Sequence, residues 1–238
     1  MSGHSQSSEF KFIVTGGPTR EWIDPVRFIS NPSTGKMGIA LAMAANDIAR
    51  ETVFIHGPIH KAELQNLSCR CIEVETVDQM SEAVFSELEP RSVLIMAAAP
   101  ADYTPAQKTP FKIKKGADSI TLEFVKAQDI LGAIADYRSS DRSREPLYIV
   151  GFAAETNDHE KYALDKLERK KLDMICVNDL TAEGAGFAVD TNIITVFEKN
   201  GTKTRLPKMQ KTEVAGAIIE RILIAIGDID CSQYRNLG

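Results

Sequence analysis

Lys112, Lys114 and Lys115 close a polar loop that opens on Asp102, inside the stretch MAAAPADYTPAQKTPFKIKK, residues 96–115. Ammonium groups so closely spaced, preceded by one carboxylate, suit the binding of an anion, phosphate first of all. The loop follows an apolar run, Val93 to Ala98, that reads as a buried strand. It would form a positively charged flap at the carboxyl end of a strand, where open α/β sheets bind ligands. The same lysines also fit a solvated face, and charge alone leaves both readings open.

A second stretch with chemical content is TGGPTREWIDPVRFISNPSTGKMG, residues 15–38. Paired glycines after a strand allow close backbone approach, and a helix starting near Gly35 would point free N–H groups at an anion. G-x-G-x-x-G is absent, so this is not a dinucleotide fingerprint. It is not a P-loop either, because Ser30 stands where the first glycine belongs and Met37 where a magnesium-holding hydroxyl would be. Asp24 and Arg27 fit a structural loop as well as a site. Asn31 precedes Pro32, which favours extended backbone, and its amide offers both a donor and an acceptor. Lys166 and Lys170 share one helix face by their spacing; Phe152, at another strand end, fits the core as well as a stacking platform.

The elements that must position these residues alternate. Strands are predicted over 10–15, 52–55, 70–75, 93–98, 120–125, 147–152 and 174–177, and helices over 35–48, 77–88, 130–137, 159–172 and 212–226. Residues 192–197 and 203–206 flank Asn200-Gly201, a hairpin signal. The expected fold class is α/β: a doubly wound, mostly parallel, Rossmann-like sheet with a small antiparallel hairpin extension. Residues 1–9 read as a disordered leader or an expression remnant, and residues 10–230 as one nucleotide-binding domain.

Composition narrows the partners. A net charge of −5 argues against general nucleic-acid binding, so phosphate affinity must come from local lysines. No run approaches the length of a membrane span, and the first ten residues lack the apolar core of a signal peptide. Cys69 and Cys71 would share a strand face without a second metal half-site, and Cys176 and Cys231 stand apart. A reducing, cytoplasmic setting is expected.

On DPVRFISNPSTGKMG, AAAPADY followed by KIKK, GFAAET and KLERKKLDMICVND, in that order, the chain resembles the phosphopantothenoylcysteine synthetase family over about residues 10–228. The resemblance implies a ligase of coenzyme A biosynthesis. A nucleoside triphosphate activates the phosphopantothenate carboxylate as an acyl nucleotide, and the amine of cysteine then displaces the monophosphate. It implies Asn31 as the residue that holds the intermediate and Lys112 as the one required to form it. Asp102, the segment Gln128, Asp129, Ile130 and Leu131, and Phe152, Lys166 and Lys170 would be nucleotide-site residues. Magnesium is implied by the triphosphate charge, with Asp102 as the only metal contact suggested. KIKK and GFAAET resemble the bacterial branch, which uses CTP; the eukaryotic branch prefers ATP. A homodimer is implied, with the Asn178-Asp179 region and the hairpin near its interface. Ala127-Gln128 departs from the family's Asn-Pro. A decarboxylase half, fused in many bacteria, is absent from these residues, so a free-standing enzyme or a domain of such a fusion is expected. Two other classes share the architecture: an NAD(P)-dependent oxidoreductase, disfavoured by the missing glycine fingerprint, and a non-catalytic nucleotide-binding module.

Overall fold

The structure, a computed structural model, describes residues 8–116, 119–140, 148–155, 159–179 and 189–228. Its strands are β1 (Ser8–Gly16), β2 (Arg20–Trp22), β3 (Phe28–Ser30), β4 (Ala49–His56), β5 (Arg70–Glu73), β6 (Ser92–Met96), β7 (Tyr103–Pro105), β8 (Phe124–Lys126), β9 (Tyr148–Glu155), β10 (Met174–Asp179), β11 (Thr191–Asn192), β12 (Ile194–Glu198), β13 (Lys203–Arg205) and β14 (Met209–Gln210). The helices are α1 (Lys36–Asn46), α2 (Val77–Glu87), α3 (Ile130–Ser140), α4 (His159–Arg169) and α5 (Lys211–Ala225).

Eight strands form the central sheet in the order β13-β12-β10-β9-β6-β1-β4-β5. Pairing is parallel from β10 to β5 and antiparallel from β10 through β12 to β13. This agrees with the expected doubly wound sheet and its hairpin extension. Both faces are covered because alternate strand residues point to opposite sides. Phe12, Val14, Phe54, Ile95 and Val150 pack under α1 and α5 through Leu41, Val214, Ile218 and Ile222. Ile13, Val53, Ile55, Leu94 and Ile149 pack under α2, α3 and α4 through Met80, Val84, Ile134 and Ala163. Fully burying each such side chain stabilises by about 1.5–3 kcal/mol.

Local chemistry sets the element ends. Thr76 and Gln79 form a reciprocal capping box that starts α2. Gln210 and Glu213 do the same for α5. Asn200 Oδ1 accepts from Thr202 N–H at 2.8 Å and Gly201 takes a φ of 89°, which closes the β12–β13 hairpin as the sequence predicts.

Several expectations are corrected. The alternating residues 120–123 form no strand: Ile120 and Leu122 are exposed and have no sheet face to pack against. Only Phe124–Lys126 pairs, and its partner is β7. The stretch between Gly17 and Gly35 holds the β2–β3 hairpin. Ser8 and Glu9, expected in the leader, extend β1, and Glu9 pairs with Arg91 at 2.6 Å. β4 is longer than predicted at both ends, and β5 stops at Glu73. α4 ends at Arg169, before Lys171 takes a positive φ. Residues 1–7 of the leader, Leu147, Thr156 of the GFAAET motif, residues 229–230 and Cys231 lie outside the described residues.

Candidate functional site

The order of the sheet reverses at β1. The chain runs outward to β4 and β5 on one side and to β6, β9 and β10 on the other. Such a switch point leaves a crevice at the strand carboxyl ends. Two clefts lie there, side by side.

The loops after β1 and β6 are fastened together. Ala99 N–H donates to Gly17 O at 2.9 Å, Ala101 N–H to Thr19 Oγ1 at 2.9 Å, and Ala98 N–H to Thr15 Oγ1 at 3.1 Å. Asn31 joins this lattice: its Nδ2 donates to Pro100 O at 2.9 Å and to Ala99 O at 3.3 Å. Its carbonyl oxygen is the part of the amide that can accept from a ligand. α1 reaches the crevice because Gly38 lies flat on β1. A Cβ there would stand 2.7 Å from Gly16 Cα and 2.9 Å from Thr15 O. Gly35 caps α1 in the left-handed region without a side-chain bond, so first-turn N–H groups remain for an anion.

The first cleft, of about 490 Å³, is lined by Asn31, residues 33–35, Lys36, Asn178, Asn192 and Lys211 among others. The second, of about 530 Å³, is lined by residues 126–131 with Arg169 and Lys170. Ala98, Pro100, Asp102, Phe152 and Lys166 line both and form the shared wall. Lys166 Nζ donates to Phe152 O at 2.9 Å, which ties the α4 lysine to the end of β9. Lys170 pairs with Asp129. Asp129 also caps α3, accepting from Gly132 N–H at 3.0 Å.

The two clefts thus gather Asn31, Asp102, Gln128, Asp129, Ile130, Leu131, Phe152, Lys166 and Lys170. Lys112 is not among their lining residues. It lines a separate open hollow of about 890 Å³ with Arg27, Lys114, Lys115 and Ile120. Asp24 and Arg27 hold the shape of their loop. Asp24 Oδ1 accepts from Val26 N–H and Arg27 N–H, while its Oδ2 pairs with the Arg27 guanidinium at 2.5 Å. That guanidinium, with the backbone donors, holds the Asp24 carboxyl far below the usual carboxylate range.

Several lining residues escaped sequence reasoning, among them Lys36, Asn178 as a cleft residue, Arg169, Asn192 and Lys211. Lys36 was legible only as the lysine of a failed P-loop, and Lys211 as a residue beside a helix start. Lys36 Nζ meets Asp190 Oδ1 at 2.6 Å, which raises the lysine pKa and lowers that of the carboxyl. Lys211 is buried and donates to Val189 O at 2.5 Å. Burial, and then the Lys36 charge, pull its pKa down.

Among the described residues, no helix is long and apolar enough to cross a membrane. No group of three or more His, Cys, Asp and Glu side chains among them could hold a metal ion.

The coenzyme A biosynthesis bifunctional protein CoaBC of Bacillus subtilis (strain 168) is 44% identical over 210 residues, 88% of this chain and 50% of the relative. The chain spans about half the length of the curated relatives it matches. The crystal structure of the C-terminal domain of a CoaBC protein is 32% identical, with a TM-score of 0.77 over 95% of this chain and 100% of that one. A Cab2 variant in complex with phosphopantothenate-cysteine shares the fold, with 15% identity and a TM-score of 0.67 over 92% of this chain and 89% of that one. The family model described as the DNA/pantothenate metabolism flavoprotein C-terminal domain matches residues 7–225, and the chain belongs to that family.

Proposed function

We propose that this chain carries phosphopantothenate–cysteine ligase activity in coenzyme A biosynthesis, with CTP as the activating nucleotide. The observation that carries the reading is the pair of contiguous clefts sharing the wall of Ala98, Pro100, Asp102, Phe152 and Lys166. A ligase of this class must bring an acid and a nucleotide together at one point, and two clefts with a common wall supply that point. Family membership supports the same reaction.

In the proposed chemistry the acid occupies the first cleft and the nucleotide the second. A carboxylate oxygen attacks the α-phosphorus, and pyrophosphate leaves with the electrons of the broken P–O bond. The cysteine nitrogen then attacks the acyl carbon. The nucleotide monophosphate departs with the acyl–oxygen electron pair, and the ammonium proton passes to solvent. Lys166 and Lys170 offer charge to the phosphates, and Phe152 offers a ring face to the base. Asn31, held by Ala99 and Pro100, would orient the acyl group. Lys112 would act on the developing phosphate charge only after the lysine segment moves toward the shared wall.

The residues present fit a magnesium ion carried in with the nucleotide. Asp102 is a carboxylate on the shared wall, and an ion that keeps waters and substrate oxygens needs one or two protein carboxylates rather than a cage. When bound, magnesium would neutralise triphosphate charge.

CTP is preferred over ATP on the likeness of KIKK and GFAAET to the bacterial branch. The homodimer is carried over from the family resemblance, with the Asn178-Asp179 region and the β12–β13 hairpin near its interface, and sedimentation would check it. The dinucleotide oxidoreductase loses ground because the turn after β1 leads to the β2–β3 hairpin and not directly into a helix.

The test is pyrophosphate release with magnesium, phosphopantothenate and either CTP or ATP, with and without cysteine. Release with CTP, accelerated by cysteine, is expected. Release with ATP alone would keep the reaction and overturn the nucleotide. Silence with both would overturn the ligase in favour of a binding module.

A further inference from the structure

The outer edge of the central sheet carries a cluster of side chains that neither cleft uses. β5 is the last strand there and pairs on one side only, with β4. Cys71 lies within β5 and Cys69 just before it. Two residues apart on extended chain, their side chains stand on one face. That face is the one α1 covers: Cys71 is in register with Phe54, and Cys69 packs against the core cluster that holds Phe54 and Leu41. Cys71 Sγ turns back over its neighbour and lies 3.6 Å from Cys69 O. Both thiols are free, Cys69 half-buried and Cys71 exposed.

A third polar atom belongs to this corner. Thr52 stands on β4 two residues before Phe54, so its side chain shares the face. One step back along the β4–β5 register sets it beside Cys69, while its neighbour on β1 is the apolar Phe12. Thr52 is 4% exposed, and its Oγ1 is buried without a hydrogen-bond partner. Buried hydroxyls are rarely left so, and this one calls for a partner.

The chemistry of the three is soft and compact. Thiolates select thiophilic ions such as Cu(I). A monovalent ion of that kind is satisfied by two sulfurs in line and needs no further carboxylate or imidazole; among the described residues no group of three metal-ligating side chains forms. A thiol that gives up its proton to such an ion becomes a better acceptor, and a buried hydroxyl beside it gains the partner it lacks. A redox dithiol fits less well. Burial, and then the Cys71 thiol, push the Cys69 thiol up to about 11, and burial raises the Cys71 thiol too, whereas reactive thiols are held low.

We propose that Cys69 and Cys71 form a two-coordinate site for a soft monovalent ion of the Cu(I) class, with the Thr52 hydroxyl donating to the metal-bound Cys69 sulfur. Two S–H bonds break, two S–metal bonds form, and both protons pass to solvent. No electron is transferred. None of the three residues lines either cleft, so the site stands apart from the ligase reading and does not depend on it.

The test is an anaerobic titration of the reduced full chain with Cu(I) presented on a chromogenic chelator, whose colour reports the ion it gives up. Wild type is expected to take one equivalent. Cys69→Ser and Cys71→Ser should each weaken binding by at least about a hundredfold, the upper end of what losing a mere outer partner of a ligand costs. Thr52→Val should weaken it by about twofold to tenfold, the scale of one hydrogen bond. Cys176 is fully buried, so the remaining control is Cys231→Ser, which should bind as wild type does. If Cys69→Ser fails to fold, the exposed Cys71→Ser decides alone. No transfer to wild type would overturn the site. So would transfer that survives Cys71→Ser, or that Cys231→Ser abolishes. Unchanged affinity in Thr52→Val would overturn the part given to the hydroxyl.

Discussion

Asp24 accepts a hydrogen bond from the backbone N–H of Ile113 at 3.1 Å, 89 residues further along the chain. Its partner Arg27 completes the clasp by donating to Ile113 O at 3.0 Å. The lysine segment is thereby pinned to the turn of the β2–β3 hairpin at the residue next to Lys112. This clasp is what keeps Lys112 over its own open hollow and away from the two clefts.

Removing the clasp should free the segment. Asp24→Ala is expected to speed tryptic cleavage after Lys112, Lys114 and Lys115 by about tenfold, as a local opening becomes easier. Arg27→Ala should do so more weakly, since the bond from Asp24 to Ile113 N–H survives it. Equal cleavage rates in all three proteins would show that the clasp does not hold the segment.

Lys112→Gln tests the proposed activation step. Pyrophosphate release should fall by at least about a hundredfold, the scale of one transition-state charge contact. CTP binding by calorimetry should persist, because Lys112 lines neither cleft. Full activity in this variant would make Lys112 an ordinary surface lysine.

Asn31 donates both its amide hydrogens to the loop after β6, so the nature of the replacement matters. Asn31→Asp sets a carboxylate against two carbonyl oxygens, Ala99 O at 3.3 Å and Pro100 O at 2.9 Å. A loss of about 1–3 kcal/mol in folding stability is expected, with a loss of turnover as the shared wall distorts. Denaturant unfolding and the pyrophosphate assay together check it. Unchanged stability and turnover would remove Asn31 from both roles.

Gly38 sets how closely α1 lies on β1. Gly38→Ala forces a methyl to within 2.7 Å of Gly16 Cα and 2.9 Å of Thr15 O, both backbone atoms that cannot swing aside. The cost should be about 1–3 kcal/mol of overpacking. Because the start of α1 lines the first cleft, turnover should fall as well. A melting curve and the pyrophosphate assay are the two readouts, and a silent Gly38→Ala would contradict the close contact.

Acid should loosen the opposite end of the molecule first. Arg70 beside Glu87, with Lys11 at 2.9 Å, brings the Glu87 carboxyl down to about 2 against the opposing effect of burial. The unfolded chain protonates it at about pH 4.3. The folded pKa lies lower, so this stabilisation is present above about pH 4.3 and is lost as the pH falls toward 2. Glu87→Gln should therefore be less stable than wild type at pH 7, and the gap should narrow at pH 3. Parallel stability curves across that window would argue against the assignment.

Much of this architecture was legible before any coordinates. Apolar runs such as 93–98 have no polar alternation, which marks strands covered on both faces, and helical spacing between them implies a parallel sheet. Asn200-Gly201 specified its hairpin through a residue that tolerates positive φ. The motif-bearing residues Asn31, Asp102, Phe152 and Lys166 proved to share one crevice, because each follows or faces a strand carboxyl end and all strand ends of a parallel sheet point one way. Periodicity misled at 120–123, where alternation had no sheet face to answer it. It was also silent on Lys36 and Lys211. Each lies at the start of its own helix, and nothing local relates them. They meet because α1 and α5 pack on the same face of the sheet with both N-termini toward the cleft. Local pattern reports which way a side chain faces within its element. Which distant elements become neighbours is decided by strand order and helix packing, so the meeting of Lys36 with Lys211 and the clasp on Ile113 belong to the tertiary structure alone.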